Sequence, residues 1–237
     1  MQFLQFGNDV ISYEIRYNER KTTSIQIDET GITVIAPNNI TVDQVEQIVV
    51  QKMKWIYTQL AEFEEMAHYE KPRQFISGEK LSYIGRNYRL KVQESDEATF
   101  YFKHGQFFAT VPLNTPKDQY REMLYPLYKA WIKEKGKQLS EKRLKRFLIG
   151  YPHEPTGITI KEQEQRWGSC TSSNQLLLNW HLFLAPMIAI DYVIAHELAH
   201  LTVRDHSQAF WDTLKRIYPE YEEGKKWLKI NGRKLYI

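Results

Sequence analysis

Cysteine is nearly missing from this 237-residue chain: Cys170 stands alone. One thiol excludes an intrachain disulfide framework and any zinc site built mainly from thiolates. Long apolar runs are missing as well. No stretch approaches the ~18 consecutive apolar residues of a membrane span, so no membrane partner is expected. Met1-Gln2-Phe3-Leu4-Gln5-Phe6 has neither a basic start nor an apolar run. No secretory signal is therefore expected, and a reducing cytoplasm is the default location. Charge of one sign is scarce too: 32 Lys+Arg against 29 Asp+Glu leave a net of +3, too little to imply nucleic acid by itself. At 42% hydrophobic and 26% charged residues, the composition can bury a sizeable core and excludes wholesale disorder. What is plentiful is aromatic, 14% of the chain, which favours strands and large buried contacts.

The patterning predicts an α+β fold: a β-rich N-terminal part with helices over 1–112, then a helical connector and a compact core over 113–237. Alternation marks strands at 11–17, 24–28 and 32–37, and again at 81–84, 88–92, 99–103 and 107–111. Each set is followed by helical spacing. Val42, Val45, Ile48, Val49, Met53, Ile56, Leu60 and Phe63, the last of which lies outside the residues described below, share one face behind a Thr41 N-cap; Met123, Leu124, Leu127 and Trp131 begin the second helix. Val34-Ile35-Ala36-Pro37 and Ala109-Thr110-Val111-Pro112 occupy matching places before the two helices, which reads as a degenerate repeat.

Residues 117–146 hold ten Lys/Arg against four Asp/Glu. That stretch fits a basic surface for nucleic acid or phosphate, and fits better a solvated helix face whose Lys stems cover apolar neighbours. Further on, 157–160 and 175–179 read as strands flanking Arg166-Trp167-Gly168-Ser169-Cys170-Thr171. Pro186 precedes an apolar helix, and Ser207 can cap the next one.

Inside the apolar helix lies His196-Glu197-Leu198-Ala199-His200, an H-E-x-x-H pattern expected by chance only about 0.02 times in such a chain. Two imidazoles four residues apart share one helix face, about 5–6 Å apart at Cβ, and can reach one Zn²⁺. Glu197 falls beside the ion rather than on it, placed to take a proton from metal-activated water. His206, six residues after His200, can close the set if the chain turns back. Asp205 and the acidic group Glu220, Glu222 and Glu223 are rivals. Asp205 points away in an extended segment, and the glutamates lie beyond a helix whose inner face is already apolar. Metzincins have a Gly midway where this chain has Val203, which argues against that class.

With these residues the sequence resembles the YgjP-like metal-dependent hydrolases, relatives of the SprT-like and WLM zinc peptidases. The likeness runs through Arg166-Trp167-Gly168-Ser169-Cys170, Leu178-Asn179-Trp180, Asp191 to Leu201, Asp205-His206-Ser207 and Phe210-Trp211, and is tight over 157–228. Asp205 departs from the usual Asn. The resemblance implies a zincin core, an antiparallel sheet over the metal-binding helix. One Zn²⁺ would sit on His196, His200 and His206, with Glu197 as catalytic base. Polypeptide hydrolysis leads; nucleoside triphosphate pyrophosphate hydrolysis and a nucleic-acid-associated role are the alternatives. Arg166 suits a substrate carboxylate or phosphate equally with a structural ion pair. His181 is a candidate oxyanion donor, and Cys170 reads as a part-buried structural thiol.

Overall fold

The computed structural model describes residues 2–6, 9–28, 31–58, 60, 72–163 and 166–237. Packing divides the chain into two units, Met1–Lys71 and Pro72–Ile237. Among the described residues, no helix is long and apolar enough to cross a membrane.

In the first unit, β1 (Gln2–Phe6), β2 (Asp9–Asn18), β3 (Ser24–Asp28) and β4 (Gly31–Pro37) form one sheet in the order β1-β2-β4-β3. β2 runs parallel to β4; the other pairs are antiparallel. Helix α1 (Val42–Gln51) begins where the sequence predicts. The Thr41 hydroxyl accepts from the Gln44 amide and the Gln44 side chain accepts from the Thr41 amide, a reciprocal capping box. The helical face then meets the sheet: Val45, Val49 and Ile56 are fully buried with Val34 and Ala36.

The second unit opens by repeating that topology. β5 (Lys80–Tyr83), β6 (Arg86–Ser95), β7 (Thr99–Lys103) and β8 (Gln106–Pro112) lie in the order β5-β6-β8-β7, with β6 parallel to β8. The correspondence reaches the register, since Pro37 ends β4 opposite Asn18 and Pro112 ends β8 opposite Ser95. Proline lacks the N–H that would continue a ladder, so it closes both strands at the same point. Helix α2 (Tyr120–Phe147) covers the inner face; Leu124, Tyr128 and Ile132 are fully buried with Leu90, Phe107 and Val111. Pattern alone groups this second sheet with the β-rich region 1–112. In the structure its core is continuous with that of α2 and the C-terminal elements.

A third sheet is built from β9 (Gly157–Lys161), β10 (Gly168–Cys170) and β11 (Gln175–Asn179), ordered β10-β11-β9. The expected antiparallel pairing holds for β10 and β11, whereas β9 joins in parallel. The reason is connectivity: β9 and β10 lie on opposite sides of β11, so the chain passes β11 before the hairpin forms. Helix α3 (Met187–Ala199) lies against this sheet and is followed by α4 (Gln208–Ile217) and α5 (Tyr221–Asn231). α3 is buried on most sides, as its continuous apolar sequence requires. α5 crosses it so closely that a Cβ on Gly224 would clash with the Ile188 carbonyl oxygen. Its buried Asp191 receives two bonds from Arg143 of α2, at 2.6 and 2.5 Å.

A candidate metal centre at the end of helix α3

His196 and His200 project one turn apart from α3, their ring centroids 5.0 Å apart. The helix then stops. The Tyr151 hydroxyl donates to the Leu198 carbonyl at 3.2 Å and meets the Thr202 hydroxyl at 2.5 Å, holding the chain as it turns. Residues 201–206 fold back and bring His206 over the helix, with its Nε2 3.1 Å from His196 Nε2. Ligating atoms of all three histidines lie within 4.8 Å of one another. Phe210, fully buried, packs on all three rings, and Trp211 Nε1 donates to the His206 carbonyl at 3.2 Å. Helix α4 therefore sets the position of the returning loop.

The rivals to His206 are placed otherwise. Asp205 Oδ1 accepts from the Ser207 amide at 3.2 Å, so the carboxylate closes the turn into α4. The Ser207 hydroxyl, expected to cap that helix, makes no capping bond. Glu222 and Glu223 stand in the first turn of α5. Among the described residues, the convergent group is His196, His200 and His206, without these acids.

The electrostatics suit a cation. Burial first, then the neighbouring histidines and Lys225, hold His196 down to about 3. Burial likewise lowers His200, whose Nδ1–H donates to the Val203 carbonyl at 3.0 Å and leaves Nε2 with a free lone pair. Neutral imidazole is the ligating form. Two nitrogens on one tetrahedral zinc at ~2.0–2.1 Å stand about 3.3 Å apart, close to the 3.1 Å between His196 and His206. The residues present thus fit a metal ion.

Glu197 lies on the sheet side of α3, only 5% exposed. Burial pushes its carboxyl up to about 8, against the opposing pull of the Arg166 charge. Room for it comes from Gly168 on β10: a Cβ there would lie 2.8 Å from Glu197 Oε1 and Cγ. The sequence shows Gly168 within its motif, but its duty of making space is visible only once β10 and α3 are packed together. Gly168→Ala is expected to displace Glu197 and lower kcat by about 10²-fold at unchanged metal content. Unaltered kcat in that variant, measured beside its zinc stoichiometry, would remove this constraint.

Arg166 is exposed at the entrance to β10, and its carbonyl accepts from Asn179 Nδ2 at 3.2 Å. Its guanidinium faces solvent near Glu197, the group whose ionised form its charge favours. His181 is 4% exposed and sandwiched between Trp180 and Tyr236, with Nδ1 3.2 Å from Asn179 Oδ1. Its partners are core groups rather than the three histidines. Burial holds His181 down to about 4 from an ordinary 6.5. Between those values the unfolded chain binds a proton that the native ring refuses, so stability is full above pH ~6.5 and falls as pH drops toward 4. The shift is worth about 3 kcal/mol. Urea unfolding at pH 7 and 4.5 should show that loss in the parent and a smaller one in His181→Gln; equal losses would assign the acid sensitivity elsewhere.

Arg204, given no role by the sequence, reaches across to the β10–β11 turn. It donates to the Thr171 carbonyl at 2.9 Å, to Asn174 Oδ1, and to Cys170 Sγ at 3.3 Å. Cys170 is part-buried, and burial raises its thiol pKa. In the basic helix, Arg143 binds Asp191, Lys129 pairs with Glu162 at 2.5 Å and Arg121 donates to the Arg73 carbonyl. Three of its ten cations thus hold the second unit together.

Two imidazoles and a buried carboxyl presented by one helix, with a third imidazole returned by the loop after it, are the arrangement of a metal-dependent hydrolase. Residues 21–231 match the family model described as YgjP-like, metallopeptidase domain, and the chain belongs to that family. It is a hydrolase of the metallopeptidase class. Among solved structures it is similar to the metallopeptidase zymogen abylysin of Pyrococcus abyssi, at 19% identity and TM-score 0.34, covering 41% of this chain and 93% of that one. It is also similar to the zymogen jannalysin of Methanocaldococcus jannaschii, at 24% identity and TM-score 0.33, covering 40% and 95%. None of the curated proteins matches.

Proposed function

We propose that the chain is a zinc-dependent peptidase in which His196, His200 and His206 hold the ion and Glu197 is the general base. The observation that carries this reading is the approach of the three imidazoles, two of them 3.1 Å apart at Nε2, beside the buried Glu197. Bound zinc would supply Lewis acidity and lower the pKa of water toward ~7. Glu197 would accept the proton of the attacking water and return it to the leaving amine. Three imidazoles without a thiolate are a ligand set that suits zinc.

β10 is an edge strand, paired on one side to β11. An extended polypeptide can add to its free edge through backbone hydrogen bonds. Gly168 brings that edge close to Glu197, Arg166 at its entrance suits a substrate carboxylate, and the Arg204 clamp ends it at the 171–174 turn. The surroundings of His181 support a positioning duty through Asn179, whose Nδ2 also bonds the Gln163 and Arg166 carbonyls.

Protein purified without chelator should carry about one zinc per chain. It should cleave an unfolded polypeptide such as reduced casein, lose that activity on chelation and regain it with zinc. Cleavage that persists without metal would end the proposal. Hydrolysis of nucleoside triphosphates with polypeptide untouched would replace its substrate.

A further inference from the structure

The outward face of the β5-β6-β8-β7 sheet presents a ring stack to solvent. Strand alternation sends Leu90, Phe107 and Val111 inward and their sequence neighbours outward. On the outward side, Tyr101 of β7 pairs with Phe108 of β8, and Phe108 with Lys91 of β6. The two rings stack at 5.4 Å between centroids and 10° between planes, and the Lys91 ammonium lies over Phe108 at 5.6 Å. Tyr101 is 46% exposed.

Around these rings the charge has one sign. Lys80, Arg89 and Lys103 are exposed on the same face, and with Lys91 they make four cations. The remaining outward positions are uncharged; Asp96 and Glu97 lie past the end of β6, at the turn into β7. Among the described residues, none of the four cations takes part in an ion pair. Cross-strand stacking by itself explains a modest gain in sheet stability. It does not explain a ring pair whose Tyr101 member is exposed and whose Phe108 member is half-buried, amid unpaired cations and without a carboxylate.

We propose that this face binds single-stranded nucleic acid, with bases stacking on Tyr101 and Phe108 and phosphates held by Lys80, Arg89, Lys91 and Lys103. Aromatic platforms joined to cations are what single strands require, because every base has a π-face and every linkage a negative charge. Four strands about 4.8 Å apart span ~15 Å, room for two or three nucleotides. A duplex hides its base faces, and an acidic polypeptide would use the cations but leave the rings unused. The platform is independent of the metal centre and adds to the peptidase reading.

Fluorescence anisotropy of the full chain with a single-stranded 12-nucleotide oligothymidylate tests this. Two or three phosphate contacts predict a slope of about −2 for log K against log salt, flattened by about 0.7 in Lys91→Gln. Tyr101→Ala should weaken binding about tenfold while Tyr101→Phe, which keeps the ring, binds as the parent does. Casein cleavage and zinc content should be unchanged in Tyr101→Ala, so failure here and failure of the peptidase reading are distinguishable. No binding at low salt, or parental affinity in Tyr101→Ala, would overturn the platform. Equal competition by polyglutamate of matched charge would do the same and assign the face to an acidic polypeptide.

Discussion

Glu197→Gln is expected to bind zinc as the parent does and to lose turnover by about 10²–10⁴-fold or more. Glutamine keeps the size and polarity of the side chain, so it fits the space beside Gly168 that the carboxyl occupies. It cannot accept a proton. The nitrogens proposed to hold the metal belong to His196, His200 and His206, none of which the substitution touches. Zinc stoichiometry and kcat, measured on one preparation, separate the two effects. Parental kcat would make Glu197 a bystander, whereas loss of zinc would make it part of the metal site. Glu197→Asp is a useful companion, since it keeps the base and withdraws it by one methylene; an intermediate rate is expected.

His206→Ala should have its largest effect on affinity, lowering zinc binding by about 10²-fold or more. Changes to groups that merely support a ligand already cost 10–100-fold. His206 is held from behind by the Trp211 bond to its carbonyl and packed on Phe210, so its place over the helix is fixed. Asp205 is engaged with the Ser207 amide. Glu220, Glu222 and Glu223, changed singly to Gln, should leave zinc affinity at the parental level. Competition titrations with a chromophoric chelator decide between them. Full affinity in His206→Ala, with loss in any of the three glutamine variants, would move the third ligand to α5.

Much of this site is legible one element at a time. The i, i+4 spacing of His196 and His200 is a property of helix geometry, independent of anything that packs against it. The repeated strand–strand–Pro–helix pattern is similarly local, and the two sheets share both order and register. The parallel placement of β9 is different. Alternation marks 157–160 as a strand but carries no record of which side of β11 it will join. The basic helix is a further case: charge counting treats Arg143 like its neighbours, yet Asp191, 48 residues away, takes both its nitrogens.

The sequence by itself therefore determined the α+β class, the helix that presents two imidazoles and a carboxyl, and the elements around it. Periodicity and spacing act within a few residues, where backbone geometry is the same in every protein. Tertiary structure alone decided that Glu197 is buried and lies against the edge strand at Gly168. It also decided that residues 201–206 return His206 to the other two rings, and that Tyr101 and Phe108 stack on an open face. Each of these depends on where a distant segment comes to rest, which core packing settles and no local pattern encodes.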